Sequence, residues 1–220
     1  MVFRDNREFI EALKKSGDVV TIEDEIDWDL EAGAIVRRTC EREGPAVLFN
    51  KVKDYPNFRV FGAPLATYRR YAVAFGLPPE TPVRDIIAQY SRRRESLIKP
   101  ILVSDGPCQD NIIQGKDVDL FSLPAPMVHE GDGGRYIGSW HAVIARDPDT
   151  NWTNWGMYRL MLHNERYMGG IIHVTSDMGT IFYQKFVPKN KPMPFAVALG
   201  MDPLSSITAM TKLPFEVAEV

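Results

Sequence analysis

Cysteine is scarce. Cys40 and Cys108 are the only two in 220 residues, too few for a disulfide framework or a multi-thiolate zinc site. Long apolar runs are missing as well. The longest stretch, around residues 194–201, falls far short of the roughly 20 residues that cross a bilayer, and the opening Met1 to Asp5 has no secretory apolar region. The expectation is a cytoplasmic protein with no membrane partner. Charge of one sign is absent too: 26 Lys and Arg stand against 29 Asp and Glu, a net charge of -3, which provides no electrostatic footprint for nucleic acid. There is no internal repeat and no low-complexity segment. What is present is 45% hydrophobic and 10% aromatic side chains, enough to bury one good core or two small ones and to exclude a disordered chain.

The first half alternates short helices and strands. Asn6 reads as the N-cap of a helix with Phe9, Ile10 and Leu13 at helical spacing, ended by Gly17, and a strand over residues 19–22 follows. A second helix covers about residues 29–43 with Gly44-Pro45 as its stop, ahead of a strand at 46–49. Residues 59–62 read as a strand. Thr67 caps a helix ending at Gly76, Thr81-Pro82 supplies a cap and first-turn proline for a helix from Val83 to about Arg93, and residues 101–104 return to strand. The run Arg92-Arg93-Arg94 reads as a solvated helix end whose cations complement the dipole. This pattern predicts a small α/β domain over residues 1–115.

Residues 116–220 read differently, being rich in Gly, Trp, Tyr and Met. Strand-like runs at 137–146, 155–163 and 168–174, joined by Asp147-Pro148-Asp149 and His163-Asn164-Glu165, predict a hairpin-built sheet or barrel. A helix capped by Asp177 runs towards Val187, a strand covers 195–199, and Asp202-Pro203 opens a helix towards Met210. The fold class expected is therefore α+β.

The densest unusual text is Asn151-Trp152-Thr153-Asn154-Trp155-Gly156-Met157-Tyr158-Arg159. Its plain reading is a hairpin turn leading into a core strand, and its other reading is a site. In the second reading, alternation puts Thr153, Trp155, Met157 and Arg159 on one face and Asn154, Gly156 and Tyr158 on the other. Gly156 would let a flat ring approach the backbone, and Arg159 would hold a carboxylate or phosphate through its two-pronged donor geometry.

Asn154-Trp155-Gly156-Met157-Tyr158-Arg159 resembles the Asn-x-Gly-x-Tyr-Arg segment of the UbiD family of reversible decarboxylases. Gly131-Asp132-Gly133-Gly134-Arg135-Tyr136-Ile137 is similar to the family's Gly-x-Gly-Arg-Tyr-Ile loop, and Ala145-Arg146-Asp147-Pro148-Asp149-Thr150 to its Thr-Arg-Asp-Pro-x-Thr turn. Gly200-Met201-Asp202-Pro203 and Leu213-Pro214-Phe215-Glu216-Val217-Ala218-Glu219 resemble its later helix start and Pro-to-Glu segment. The first 120 residues match more loosely, chiefly at the strand of residues 46–52. The resemblance implies a non-oxidative decarboxylase acting on aromatic or α,β-unsaturated carboxylic acids with prenylated FMN, and a split β-barrel flavin-binding domain over residues 116–220. Arg159 carries over as the catalytic residue that binds the substrate carboxylate. Asn154, Trp155, Gly156, Met157, Tyr158 and Arg159 itself carry over as cofactor-binding, with Met210 and Thr211 as further candidates for cofactor contacts. The family's divalent metal, manganese or magnesium, with potassium nearby, would fall to Asn154, Asp177 and Glu219.

Two departures accompany the resemblance. The family's metal histidine falls where this sequence has Asp177, which reads equally as ligand or as helix cap, with His173 as the fallback. The family's paired glutamates, one of them the proton donor, have no counterpart here, and family members are about twice as long. The expectation is an N-terminal half, truncated or split before a C-terminal domain, that pairs with a C-terminal partner and forms a homo-oligomer. The alternatives are a non-catalytic flavin-binding module and a structural subunit of a multi-subunit carboxylase.

Overall fold

Asp5, not Asn6, caps the first helix of the computed structural model, which describes residues 2–95, 98 and 100–219. The Asp5 carboxylate accepts from the Glu8 amide at 2.9 Å and caps α1 (Asn6–Lys15). Strand β1 (Val19–Ile26) is parallel to β2 (Ala46–Val52), helix α2 (Glu31–Glu41) crosses between them, and β3 (Val60–Gly62) runs antiparallel to β2. In the order β1-β2-β3 the central strand is buried on both faces over residues 46–49. That is the pattern of a strand covered by helices on two sides. Val47, Phe49 and Val52 pack with Ala32 of α2, while Phe9 and Leu13 of α1 pack with Val73 and Ala74 of α3 (Tyr68–Ala74). Helix α4 (Val83–Arg94) closes this unit through Ile86 against Phe75. The arginine run does end α4, but Arg93 is more than solvated: its Nη2 donates to the Phe75 carbonyl at 2.8 Å.

No strand forms over residues 101–104. Ile101 and Leu102 are 87% and 98% exposed. Their strand propensity meets no neighbouring strand to pair with, and a lone strand has no partner for its backbone groups.

The second unit holds six short strands in two antiparallel sheets: β4 (Tyr136–Gly138), β7 (Leu160–Leu162) and β8 (Met168–Gly170) in the order β4-β7-β8, and β6 (Thr153–Gly156), β5 (His141–Arg146) and β9 (Phe195–Leu199) in the order β6-β5-β9. The long strands expected over 137–146 and 155–163 are therefore each broken, at residues 139–140 and 157–159, where the chain leaves one sheet for the other. The strand expected over 168–174 stops at Gly170. Val143, Ala145, Trp152, Leu160, Met178 and Ile181 form the core between the sheets and helix α5 (Asp177–Ile181), whose C-terminal end unwinds through a π turn at Phe182–Phe186. Asp202 and Pro203 begin α6 (Pro203–Ala209) as expected, the Asp202 carboxylate accepting from the Leu204 and Ser205 amides at 3.0 and 3.1 Å.

Arg135, from the glycine-rich loop, clasps the two units together. Its guanidinium lies 4.1 Å from the centre of the Trp28 ring, Nε donates to the Ala125 carbonyl at 2.6 Å, and Nη2 donates to the Tyr55 hydroxyl at 2.6 Å. Tyr55 in turn donates to the Phe121 carbonyl at 2.7 Å. A stacked, planar guanidinium with fixed donors suits such a joint better than lysine would. None of the described helices is long and apolar enough to cross a membrane.

Candidate active site at the sheet crossing

The turn between β5 and β6 is set by Asp147. Its buried carboxylate accepts from the Asp149 and Thr150 amides at 2.7 and 3.1 Å, a side-chain-closed turn of the kind aspartate favours. The register this fixes pairs Ala145 with Asn154 and Val143 with Gly156. Asn154 then points inward, 2% exposed, and Trp155 stays half-buried on the opposite face.

A buried amide needs partners, and two residues supply them. Asn154 Nδ2 donates to Glu219 Oε1 at 3.0 Å, and the Tyr158 hydroxyl donates to Asn154 Oδ1 at 3.2 Å. Strand β6 is an edge strand, and Glu219 Oε2 accepts its Trp155 amide at 2.9 Å. The Tyr158 oxygen also accepts the Met178 amide, in the first turn of α5, at 3.2 Å. Asn154, Tyr158 and Glu219 are thus brought together as one network.

The alternation expected from 153 to 159 holds through Gly156, after which the strand ends. The Asn154, Gly156, Tyr158 side survives for a reason local to this chain. A Cβ at Gly156 would stand 2.5 Å from Tyr158 Cε2. The flat ring that lies against Gly156 is therefore that of Tyr158, which needs the glycine in order to reach Asn154.

Burial raises the Tyr158 hydroxyl above its ordinary pKa, the Met178 and Ser176 hydrogen bonds opposing and the Asp177 and Glu219 charges adding to the rise. Burial likewise raises the Glu219 carboxyl, against the hydrogen bonds from Trp155 and Asn154, with Asp177 adding its charge. Tyr158, Asp177 and Glu219 share one electrostatic neighbourhood.

Asp177 is not the helix cap. Ser176 is, its Oγ accepting the Gly179 amide at 3.1 Å; Asp177 is the first helical residue, and both its oxygens accept from Lys212 Nζ at 3.0 and 2.9 Å. The His173 side chain is exposed, while its carbonyl accepts the Ser176 amide and hydroxyl at 3.0 and 2.7 Å. Among the described residues no three His, Cys, Asp or Glu side chains form a metal-holding group.

Arg159 is exposed, with its guanidinium 5.9 Å from the centre of the Tyr136 ring. Among the described residues it has no carboxylate partner. Met157 is half-buried and Met210 is exposed. Thr211 Oγ1 lies 2.7 Å from the Tyr90 hydroxyl, tying the end of α6 to α4, and no hydrogen bond joins Met210 or Thr211 to the Asn154 network. Two surface cavities, of about 420 and 370 Å³, are lined by Tyr55, Phe58 and Phe121 and by Asp119, Glu165 and Tyr167, away from this network.

Sequence reasoning missed Ser176, Lys212 and His141. Ser176 carried a signal, since serine caps as well as aspartate. His141 carried a weaker one, a lone imidazole within the apolar run of β5; its Nε2 lies 2.8 Å from the Tyr158 carbonyl oxygen.

Comparison with known proteins places this geometry in a family. Residues 10–90 match the 3-octaprenyl-4-hydroxybenzoate carboxy-lyase N-terminal domain, and residues 101–220 match the Rift-related domain of the same carboxy-lyases. Pyrrole-2-carboxylic acid decarboxylase of Pseudomonas aeruginosa is 38% identical over 98% of this chain, which covers 45% of that protein. The closed form of vanillic acid decarboxylase from Sedimentibacter hydroxybenzoicus superposes over the whole chain with a TM-score of 0.93 at 29% identity, 47% of its own length being covered. The UbiD-class enzyme HmfF from Pelotomaculum thermopropionicum, solved in complex with FMN, superposes over 98% of the chain and 46% of its own with a TM-score of 0.87 at 25% identity. The chain spans about half the length of the curated relatives it matches. With both domain models matched in order and the α+β architecture shared, the chain belongs to the UbiD carboxy-lyase family.

Proposed function

We propose that the chain is the flavin-binding portion of a cytoplasmic, homo-oligomeric UbiD-type decarboxylase of aromatic or α,β-unsaturated carboxylic acids. The carrying observation is Arg159: an exposed guanidinium that has no acid partner among the described residues, in the crossing between β6 and β7 beside the hydrogen-bonded Asn154–Tyr158–Glu219 network. Such a group is free to grip a carboxylate in two-pronged fashion. The two sheets would be the halves of a split barrel, within a domain spanning residues 116–220 behind an α/β domain of residues 1–115. Prenylated FMN would lie along Trp155, Gly156, Met157 and Tyr158, with Met210 and Thr211 beyond, and supplies the electron sink for decarboxylation when bound. In this reading Arg159 orients the substrate carboxylate. Tyr158 and Asn154 hold the strand end rigid, and Glu219 closes the open edge of β6.

A divalent cation on Asn154, Asp177 and Glu219 is the finer part of the proposal. These are hard oxygen donors suited to manganese or magnesium, with potassium as a secondary ion. As folded, the set does not stand ready: Lys212 holds both Asp177 oxygens, Tyr158 holds the Asn154 oxygen, and both Glu219 oxygens accept hydrogen bonds. A cation must displace Lys212 first, so no step is assigned to it.

The second reading, a flavin-binding module without turnover, is favoured by one observation. The two carboxylates near the network, Asp177 and Glu219, are both engaged in holding structure, so the proton donor must come from outside these residues. In the completed enzyme Arg159→Ala is expected to lower kcat/KM for the acid roughly 100-fold or more, about 2.7 kcal/mol of transition-state stabilisation, with flavin absorbance retained. Turnover within tenfold of the parent would sink the role of Arg159, and loss of flavin would move it to the cofactor.

A further inference from the structure

The polypeptide passes between the two sheets of the second unit at residues 139–140 and again at 157–159. The two passages are neighbours, because Gly138 pairs with Leu160 at their common end. His141, the first residue of β5, stands at one passage and its ring reaches the other. The side chain is 1% exposed, and Nε2 lies 2.8 Å from the Tyr158 carbonyl oxygen. The imidazole also fills the space above Gly138, where a Cβ would stand 2.8 Å from Cε1 and Nε2. A carbonyl oxygen only accepts, so Nε2 carries the proton. Nδ1 has no partner among the described residues. A second proton there would bury an unpaired charge, so the neutral ring protonated at Nε2 is the form the site favours.

We propose that His141 is a positioning residue for Arg159: its Nε2–H holds the carbonyl of Tyr158, and with it the peptide joining Tyr158 to Arg159, so that the guanidinium leaves the crossing in one fixed direction. The proposal rests on the reading of Arg159 as the carboxylate-binding residue. Three observations support it independently of that reading. Residues 157–159 belong to no strand, so sheet pairing does not fix this peptide. The same residue, Tyr158, is held at its other end by Asn154 and by the Met178 amide, so backbone and ring are pinned together. Gly138 and Gly156 leave room for the His141 and Tyr158 rings, one at each passage.

A merely space-filling ring and a hydrogen-bonding one are separated by substitution. His141→Phe keeps the volume and loses the donor; His141→Gln keeps a donor at similar reach. In the completed enzyme loaded with prenylated FMN, with pyrrole-2-carboxylate and vanillate as probes, His141→Phe is expected to raise KM for the acid roughly tenfold and lower kcat, with flavin affinity within about twofold of the parent, and His141→Gln to recover most of the loss. Equal activity of the Phe variant and the parent, or equal loss in the Phe and Gln variants, overturns the proposal. Nitrogen NMR of the unsubstituted 220-residue chain gives an arm that needs neither a folded variant nor activity. A neutral His141 protonated at Nε2 near pH 7 is expected, and an Nδ1-protonated ring overturns the proposal. If the parent turns over neither acid, the decarboxylase reading loses its support, and the positional claim is still decided by the Arg159 Nε–H resonance, which must shift in His141→Phe; an unmoved resonance overturns it.

Discussion

The two units of the chain bury polar groups to different ends. In the first, a βαβ sheet is covered on both faces, and its buried polar residues, Arg70 and Asp18, serve the frame: Arg70 donates to the Gly44 carbonyl at 2.9 Å, and Asp18 accepts from Arg69 at 3.2 Å. In the second, strands of three to six residues alternate between two sheets, and His141, Asp147 and Asn154 are buried where the chain turns or crosses. A long covered strand satisfies its backbone through ladders and needs only apolar packing. A chain that changes sheets leaves backbone groups for side chains to satisfy, and those side chains then hold neighbouring residues at fixed angles. The first unit gains stability from its construction, and the second gains placement.

The sharpest way to break this contrast is to remove core volume from the first unit. Phe49 is fully buried at the centre of β2. Phe49→Ala is expected to cost about 3–5 kcal/mol in denaturant unfolding, with the tautomer of His141 and the Tyr158 network unchanged in whatever fraction stays folded. A loss near 1 kcal/mol would mean that the first unit is not held by packing.

Gly156→Ala strikes the second unit at its own device. The added methyl would meet the Tyr158 ring at 2.5 Å. Either the ring moves off Asn154 or β6 shifts, at about 1–3 kcal/mol. Pairing it with Tyr158→Phe, which removes the hydroxyl and leaves the ring, distinguishes overpacking from a lost hydrogen bond. If Gly156→Ala is neutral, the tyrosine is not what the glycine accommodates.

pH sharpens the comparison further, because two groups of the second unit pull in opposite directions. Burial lowers the His141 pKa below its ordinary 6.5, against the hydrogen bond to Tyr158. The unfolded chain then binds the proton more readily, so stability is full above about pH 6.5 and falls as pH drops from there towards the lowered value. Burial raises Glu219 above its ordinary 4.5. The folded state then binds the proton more readily, so stability is lost as pH rises from about 4.5 through the raised value. Unfolding of the parent, His141→Gln and Glu219→Gln at pH 4, 5, 6 and 7 is expected to show the acid-side loss vanish in the first variant and the opposing slope vanish in the second. An unchanged pH profile in both would show that neither group titrates as its burial demands.

Much of the first unit was legible because helix and strand periods there are long and punctuated: Gly17, Gly44-Pro45 and Gly76 end elements close to where they were read. The strand breaks at 139–140 and 157–159 were not. Strand-favouring aromatic and apolar residues continue through them, and the identity of the neighbouring strand, a long-range fact, divides each run. Residues 101–104 erred in the opposite direction, since propensity was present and a partner was not. Of the site, Asn154, Gly156, Tyr158 and Arg159 stood out through residue type and order; alternation placed Asn154 and Gly156, while beyond the end of β6 the Tyr158 ring is placed by its packing on Gly156. Lys212 was invisible and His141 showed only as a lone imidazole in an apolar run, because their contacts span 35 and 17 residues.

The smallest test concerns an ambiguity that occurs twice. Asp5-Asn6 and Ser176-Asp177 each place two cap-forming residues side by side, and in both cases the second reads as the cap in sequence while the first does the capping in the fold. The side chains reach the amide three residues on, Glu8 and Gly179, from extended backbone positions that the second residue of each pair, already helical, does not adopt. Ser176→Ala should therefore cost about 1 kcal/mol, the usual loss of a helix cap. Asp177→Asn should cost less, a few tenths, since it gives up only a pair with the exposed Lys212 ammonium, and exposed pairs contribute about 0.2–1 kcal/mol. Thermal unfolding of the two variants at moderate salt separates them. If Asp177→Asn costs more than Ser176→Ala, Asp177 contributes beyond its pair with Lys212, and manganese titration of Lys212→Ala, which frees both Asp177 oxygens, then shows whether a cation takes the place of the ammonium.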